Sequence, residues 1–301
     1  MTKYFNYILG RSALALMTLV LLGSSPAKAS HEIEGCDWVC DTNCTGQSNC
    51  ATAESGACQL DTDITCGTGE GPILLKSGTD LDMHGKVLTC ESGVTCGDAV
   101  VMQANNSKVF NGTSSEAIIT GHFADGVDCG GLAGSEVVGI TIENTLTGIN
   151  NCKKVLNNVI KGVGRTYLTG NWGITHPGVT SSADLIQGNY IEGKLYGILL
   201  SGDNRPTVEK NVIHTTHYGS CAIRITNSDS EAKVQENTIL GTGNGGFTGV
   251  KKIVCLPNPV PTGTTFAQNV CNEDHADCVP CTETVVAGDN VCAPFTSPFL
   301  P

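Results

Sequence analysis

The sequence predicts an all-β solenoid, a parallel β-helix with disulfide-rich N- and C-terminal caps. Three observations carry that expectation. A six-residue pattern recurs as Val155-x-x-Asn158-x-Ile160, Ile186-x-x-Asn189-x-Ile191, Val208-x-x-Asn211-x-Ile213 and Val234-x-x-Asn237-x-Ile239, with an upstream copy, Val137-x-x-Ile140-x-Ile142, that has Ile in place of Asn. A second pattern interleaves with it, starting at Gly126, Gly148, Gly173, Gly197 and Ala222. The 16 cysteines crowd towards the two ends of the chain.

Repetition at 20–50 residues marks units that cannot bury an apolar face alone and must stack on their neighbours. The apolar residues are β-branched and arrive in short runs, which argues for strands. No helical pattern of 10–15 residues separates the copies, so alternating strand–helix units are excluded. Two strand signals per turn, joined by Asn, Gly and Asp, describe one coil of stacked parallel strands. Within V-x-x-N-x-I the Val and Asn are three apart, so both face inward only if the chain bends between them. Asn tolerates the left-handed backbone of such a bend. Stacked Asn side chains can then satisfy one another, which assigns them to the scaffold rather than to chemistry.

Residues 1–29 are set apart as a secretory signal peptide. Lys3 and Arg11 precede an apolar run from Ala13 to Leu22, and Ala27-Lys28-Ala29 ends it. No other apolar run approaches 18 residues, so membrane insertion is not expected. The expected location is secreted, periplasmic or cell-surface. The signal holds three of the 17 basic residues and none of the 29 acidic ones, so the remainder carries 14 basic residues against 29 acidic. That balance of −15 repels nucleic acid and anionic lipid.

Residues 30–72 read as a Cys-rich N-terminal cap, 73–254 as the β-helix, and 255–301 as a Cys- and Pro-rich C-terminal cap. Sixteen cysteines in an exported chain imply disulfides. Cys36, Cys40 and Cys44 are spaced as on one face of a short helix, and disulfide capping outweighs thiolate metal binding there. Cys90 and Cys96 are disulfide candidates. Cys129 and Cys152 fall at equivalent positions of adjacent coils, and a strand spacing of about 4.8 Å suits a bridge. Cys278-Val279-Pro280-Cys281 reads as structural pairing. Pro257, Pro259 and Pro261 end the ladder, because proline cannot donate to it.

Chemistry is expected where the repeat is interrupted. The loops after each N-x-I vary in length and carry Arg165, Tyr167, Trp172, Lys194, Tyr196, His214, His217 and Tyr218, with Arg224 at the next strand. Insertions in a solenoid map to one face. Aromatic rings stack on sugar C–H surfaces, and cations pair with carboxylates or hydroxyls. Tyr167, Trp172, Tyr196, Tyr218 and Arg224 are therefore the substrate-binding candidates. His217, Arg165 and Lys194 are the candidate bases if the protein is a lyase. Asp203-Asn204-Arg205 and Asp229-Ser230-Glu231 could stack carboxylates as a glycosidase pair requires, although these are also ordinary turn residues. No metal site or cofactor is expected; Ca²⁺ is conceivable at the acidic run 272–277.

The stretch Leu81-Asp82-Met83-His84-Gly85-Lys86-Val87-Leu88 resembles the L-D-x-x-G-x-x-I/L segment that opens the first full coil of right-handed parallel β-helices, and the N-x-I copies resemble their later coils. The chain thus resembles the pectin lyase-like superfamily over about residues 73–254. The resemblance implies a right-handed β-helix. It does not imply an activity, because the superfamily includes lyases, hydrolases, epimerases and non-catalytic proteins. The paired aspartates, G-H-G and R-I-K of polygalacturonases are missing, as are the R-x-P-x-x-R of pectate lyases and the D-P-H-E of alginate epimerases. The expected function is an exported monomer that binds or processes an extracellular polysaccharide or cell-surface glycan. The alternative is a non-catalytic structural or adhesion protein.

Overall fold

The structure, a computed structural model, describes residues 32–45, 47–54, 56–162, 172–176, 184–194, 196–202, 205–215, 221–227, 229–241, 252–255, 263–272 and 291–293. The described strands form three ten-stranded sheets, and every strand pairing within the sheets is parallel. Each coil passes through them in turn. In the coil beginning at Lys154, sheet A takes Lys154–Leu156, sheet C takes Val159–Lys161 and sheet B takes Trp172–His176, before the chain returns to sheet A at Leu185–Gln187. This is the expected all-β solenoid of stacked parallel strands.

The repeat maps onto this coil residue by residue. Val155 points inward from sheet A, Asn158 turns the A–C corner, and Ile160 points inward from sheet C. In register with them, Val137, Ile186, Val208 and Val234 form one interior column, and Ile142, Ile191, Ile213 and Ile239 form another. Sheet B supplies a third, Val127, Ile149, Ile174, Ile198 and Ile223. All are essentially inaccessible to solvent, and burying each such side chain is worth ~1.5–3 kcal/mol.

The Gly of the second repeat has a packing cause. A Cβ on Gly148 would lie 2.5 Å from the Gly173 carbonyl oxygen and 2.7 Å from Ile160 Cγ2, and Gly126, Gly173 and Gly197 meet the equivalent atoms of their own coils. The close approach of sheet B to the Ile column of sheet C leaves no room for a side chain.

The Asn column is a continuous ladder. Asn189 Oδ1 accepts from both Asn158 N and Asn158 Nδ2 at 3.0 Å, and Asn158 Nδ2 also donates to the Val137 carbonyl. The same set links Asn189 to Asn211, Asn211 to Asn237, and Asn237 to Asn269. Asn269 belongs to a further copy, Phe266-x-x-Asn269-x-Cys271, which the Val/Ile template passes over. At the upstream end, where Ile140 replaces Asn, its backbone N–H donates to Asn158 Oδ1 at 3.1 Å. The left-handed residue of the bend is not the Asn but its predecessor: Asn157, Gly188, Lys210, Glu236 and Gln268 all have φ between 54° and 68°.

Strand stacking runs upstream of residue 73 to Glu32 and downstream of 254 to Ala293. The cysteine-rich segment 30–72 therefore contributes strands to the same three sheets. Cys36, Cys40 and Cys44 lie on no helix. Cys40 is in the strand Val39–Asp41, and the three bond to separate partners, Cys66, Cys58 and Cys50. That pairing removes the thiolates a metal would need. Cys90 bonds Cys96, and Cys129 bonds Cys152 across adjacent coils with Cα atoms 4.9 Å apart. The signal segment and the side chains of Cys221, Cys255, Cys271, Cys278, Cys281 and Cys292 lie outside the described residues. No helix among the described residues is long and apolar enough to cross a membrane.

Candidate functional site on the outer face of sheet B

Trp172, Tyr196 and Arg224 sit on strands rather than in loops. Trp172 opens Trp172–His176, Tyr196 opens Tyr196–Leu200, and Arg224 lies in Cys221–Ile225. Their side chains are partly exposed because each stands beside an inward-facing Gly-Ile or Ala-Ile pair. Register makes Trp172 and Tyr196 direct neighbours, and the rings stack with centroids 4.1 Å apart and planes at 20°. The Arg224 guanidinium lies 5.5 Å from the Tyr196 centroid and 6.0 Å from that of Trp172. Within about 6 Å of a ring a guanidinium is held by the ring's negative face. Among the described residues no carboxylate lies within ion-pair distance of it, in contrast to Arg205, whose Nε is 2.8 Å from Glu231.

The columns continue upstream along the same face. Trp172 follows Thr147 and Asp125, while Arg224 follows Leu199, Thr175, Asn150 and Asp128. The Thr175 hydroxyl donates to Asn150 Oδ1, and Asn150 Nδ2 donates to Asp125 Oδ2 at 2.7 Å. Asp98 lies one coil further, and facing oxygens of Asp98, Asp125 and Asp128 all fall within 4.8 Å of one another. These three carboxylates could accommodate a divalent cation. Burial, partly offset by hydrogen bonds from Asn150 and Thr147 and reinforced by the other two carboxylates, pushes Asp125 up to about 6. Burial and the charge of Asp128 push Asp98 upward as well. The face thus runs from an acidic end, through hydroxyl and amide groups, to an aromatic and cationic end. Six coils at about 4.8 Å spacing make it roughly 24 Å long.

The other candidates fall elsewhere. Lys194 is buried at the C–B corner, 1% exposed, with Nζ donating to the Thr145 carbonyl two coils away. Burial alone pulls its pKa down to about 7. At 1% exposure it lies beneath the surface rather than on the outer face of sheet B. His214 lies on sheet C with Nδ1 3.4 Å from Glu192. Glu231 is paired with Arg205, and the Asp229 N–H donates to Asn227 Oδ1 as a turn residue does. Arg165, Tyr167, His217, Tyr218, Asp203 and Asn204, and the acidic residues 273–277, lie outside the described residues.

Sequence reasoning missed the acidic and amide part of this strip. The signal lay at fixed offsets from the Gly-Ile repeat: the residue before each Gly forms one outer column, and the residue after each Ile forms the other. It also missed a buried cluster at the B–A corner. There Asp184 Oδ2 lies 3.2 Å from both Lys153 Nζ and His176 Nε2. No family model, curated protein or solved structure matches this chain.

Proposed function

We propose that this is an exported β-helix protein that binds an extracellular polysaccharide along the outer face of sheet B. The carrying observation is the Trp172–Tyr196 stack with Arg224 over it, built from three consecutive coils. Each ring covers one face of the other, so the stack offers a sugar the remaining aromatic surface on a rigid sheet without ordering any loop, and preorganisation of this kind favours affinity. Arg224 offers donors to hydroxyl or acidic groups, and Asn150, Thr175 and Asp125 extend hydrogen bonding along the strip. A linear polymer fits a face on which the same positions recur from coil to coil.

Export is supported by the leader-like segment at 1–29 and by five disulfides among the described residues. The pectin lyase-like resemblance supports the polysaccharide class through fold analogy. A glycan array probed with the purified mature protein tests the reading. Binding to a polysaccharide family, lost in Trp172→Ala and Tyr196→Ala with circular dichroism unchanged, is the expected result. Binding to no glycan, or binding indifferent to both substitutions, would favour the structural or adhesion role.

A further inference from the structure

The B–A corner holds a buried charged cluster. Lys153 and Asp184 occupy equivalent positions, each immediately before its sheet A strand. The same column holds Thr79, Ser107, Ser135, Ala232 and Thr264, all small and all buried. Among the described residues this column carries charge only in adjacent coils, at 153 and 184. Lys153 is 8% exposed, Asp184 3% and His176 0%. Lys153 Nζ and His176 Nε2 both lie 3.2 Å from Asp184 Oδ2, and neither ring nitrogen of His176 has the alignment of a hydrogen bond. Asp184 Oδ2 is thus the point at which the lysine and the imidazole meet.

A buried ion pair is a poor stabiliser, because desolvation of both charges offsets their attraction. An ammonium held in an ion pair with a carboxylate, beside an imidazole and away from bulk water, is instead placed for condensation. Effective molarities on the order of 10⁵ M or more compensate for the hydrolytic bias of water when reacting groups are fixed in this way.

We propose that Lys153 and Asp184 join through an intramolecular amide bond, with His176 as the proton carrier. His176 Nε2 takes a proton from the Lys153 ammonium, and the neutral Nζ attacks Asp184 Cγ. The new C–N bond forms as the Cγ–Oδ2 bond breaks. The departing oxygen takes up the proton held by His176 and the second proton shed by Nζ, and leaves as water. Ammonium plus carboxylate becomes neutral amide plus water, with no oxidant, metal or co-reactant.

The bond has a place in the architecture. Cys129–Cys152 already ties one coil to the next. Lys153 is the adjacent residue, so Lys153–Asp184 ties that coil to the one after. Three consecutive coils would then be covalently continuous beneath sheet B, next to the Trp172 strand.

Peptide mass mapping of the reduced, alkylated and digested protein tests this. The expected result is a joined pair of peptides containing Lys153 and Asp184, lighter than their sum by one water, with no tryptic cleavage after Lys153. Asp184→Asn should yield a joined pair of the same mass, because ammonia leaves in place of water. Lys153→Arg should give two separate peptides, and His176→Gln should lower the joined fraction several-fold while circular dichroism stays unchanged. Recovery of the wild-type peptides unjoined, or of either residue joined to a different partner, overturns the proposal.

Discussion

Replacing Lys194 by Met should stabilise the protein at neutral and acidic pH, although it removes a hydrogen bond. The ammonium is buried at the C–B corner and meets one acceptor, the Thr145 carbonyl. Burial lowers its pKa from 10.5 to about 7. The folded state therefore binds fewer protons than the unfolded chain between those two values, and stability rises with pH across that window. Below about pH 7 the whole penalty is present. At ~1.4 kcal/mol per unit it amounts to roughly 4–5 kcal/mol. Met restores the buried volume without the charge but orphans the Thr145 carbonyl, a loss of roughly 1–3 kcal/mol. The net expectation is a gain of about 2 kcal/mol near pH 6 that shrinks as pH rises and becomes a loss of roughly 1–3 kcal/mol above about pH 10.5, where the wild-type lysine is neutral in both states and only the orphaned carbonyl remains. Denaturant titrations of both proteins across this range measure it. A Lys194→Met protein less stable than wild type near pH 6, or a stability difference independent of pH, would refute the reasoning.

Three further outcomes follow from the same structure. Asn211→Leu, in the middle of the ladder, leaves the Asn189 amide groups without their acceptor and should cost roughly 3–5 kcal/mol, read as a large fall in thermal midpoint. Gly148→Ala drives a Cβ against the Gly173 carbonyl and Ile160 and should cost roughly 1–3 kcal/mol by denaturant titration. Asp125 has its folded pKa raised to about 6, so the folded state holds extra protons between 3.8 and 6 and stability falls as pH climbs through that range. Asp125→Asn should remove that slope and gain roughly 1 kcal/mol near pH 7, after allowance for partial exposure.

The scaffold was readable because each coil must solve the same packing problem. Val155, Asn158 and Ile160 recur since sheet A, the A–C corner and sheet C each admit one shape. The copy at Phe266–Cys271 was passed over because sheet A needs an apolar residue there, not a β-branched one. The left-handed residue was placed one position late, since Lys210 and Glu236 give no hint that their backbones are left-handed. The binding face was legible only in part. Trp172 and Tyr196 read as loop residues in the sequence, because their pairing depends on register across 24 residues. Lys153, His176 and Asp184 carry no local signal at all. They stand out only once Thr79, Ser107 and Ser135 are seen to occupy the same column.

The binding face is tested most directly by the fluorescence of Trp172. Trp38 is the other tryptophan, so a Trp38→Phe background leaves Trp172 as the single reporter. Titration with a polysaccharide retained on the array should give a saturable change in its emission, weakened in Arg224→Gln and abolished in Tyr196→Ala. Binding detected by calorimetry with no change in Trp172 emission would place the glycan elsewhere and contradict the account.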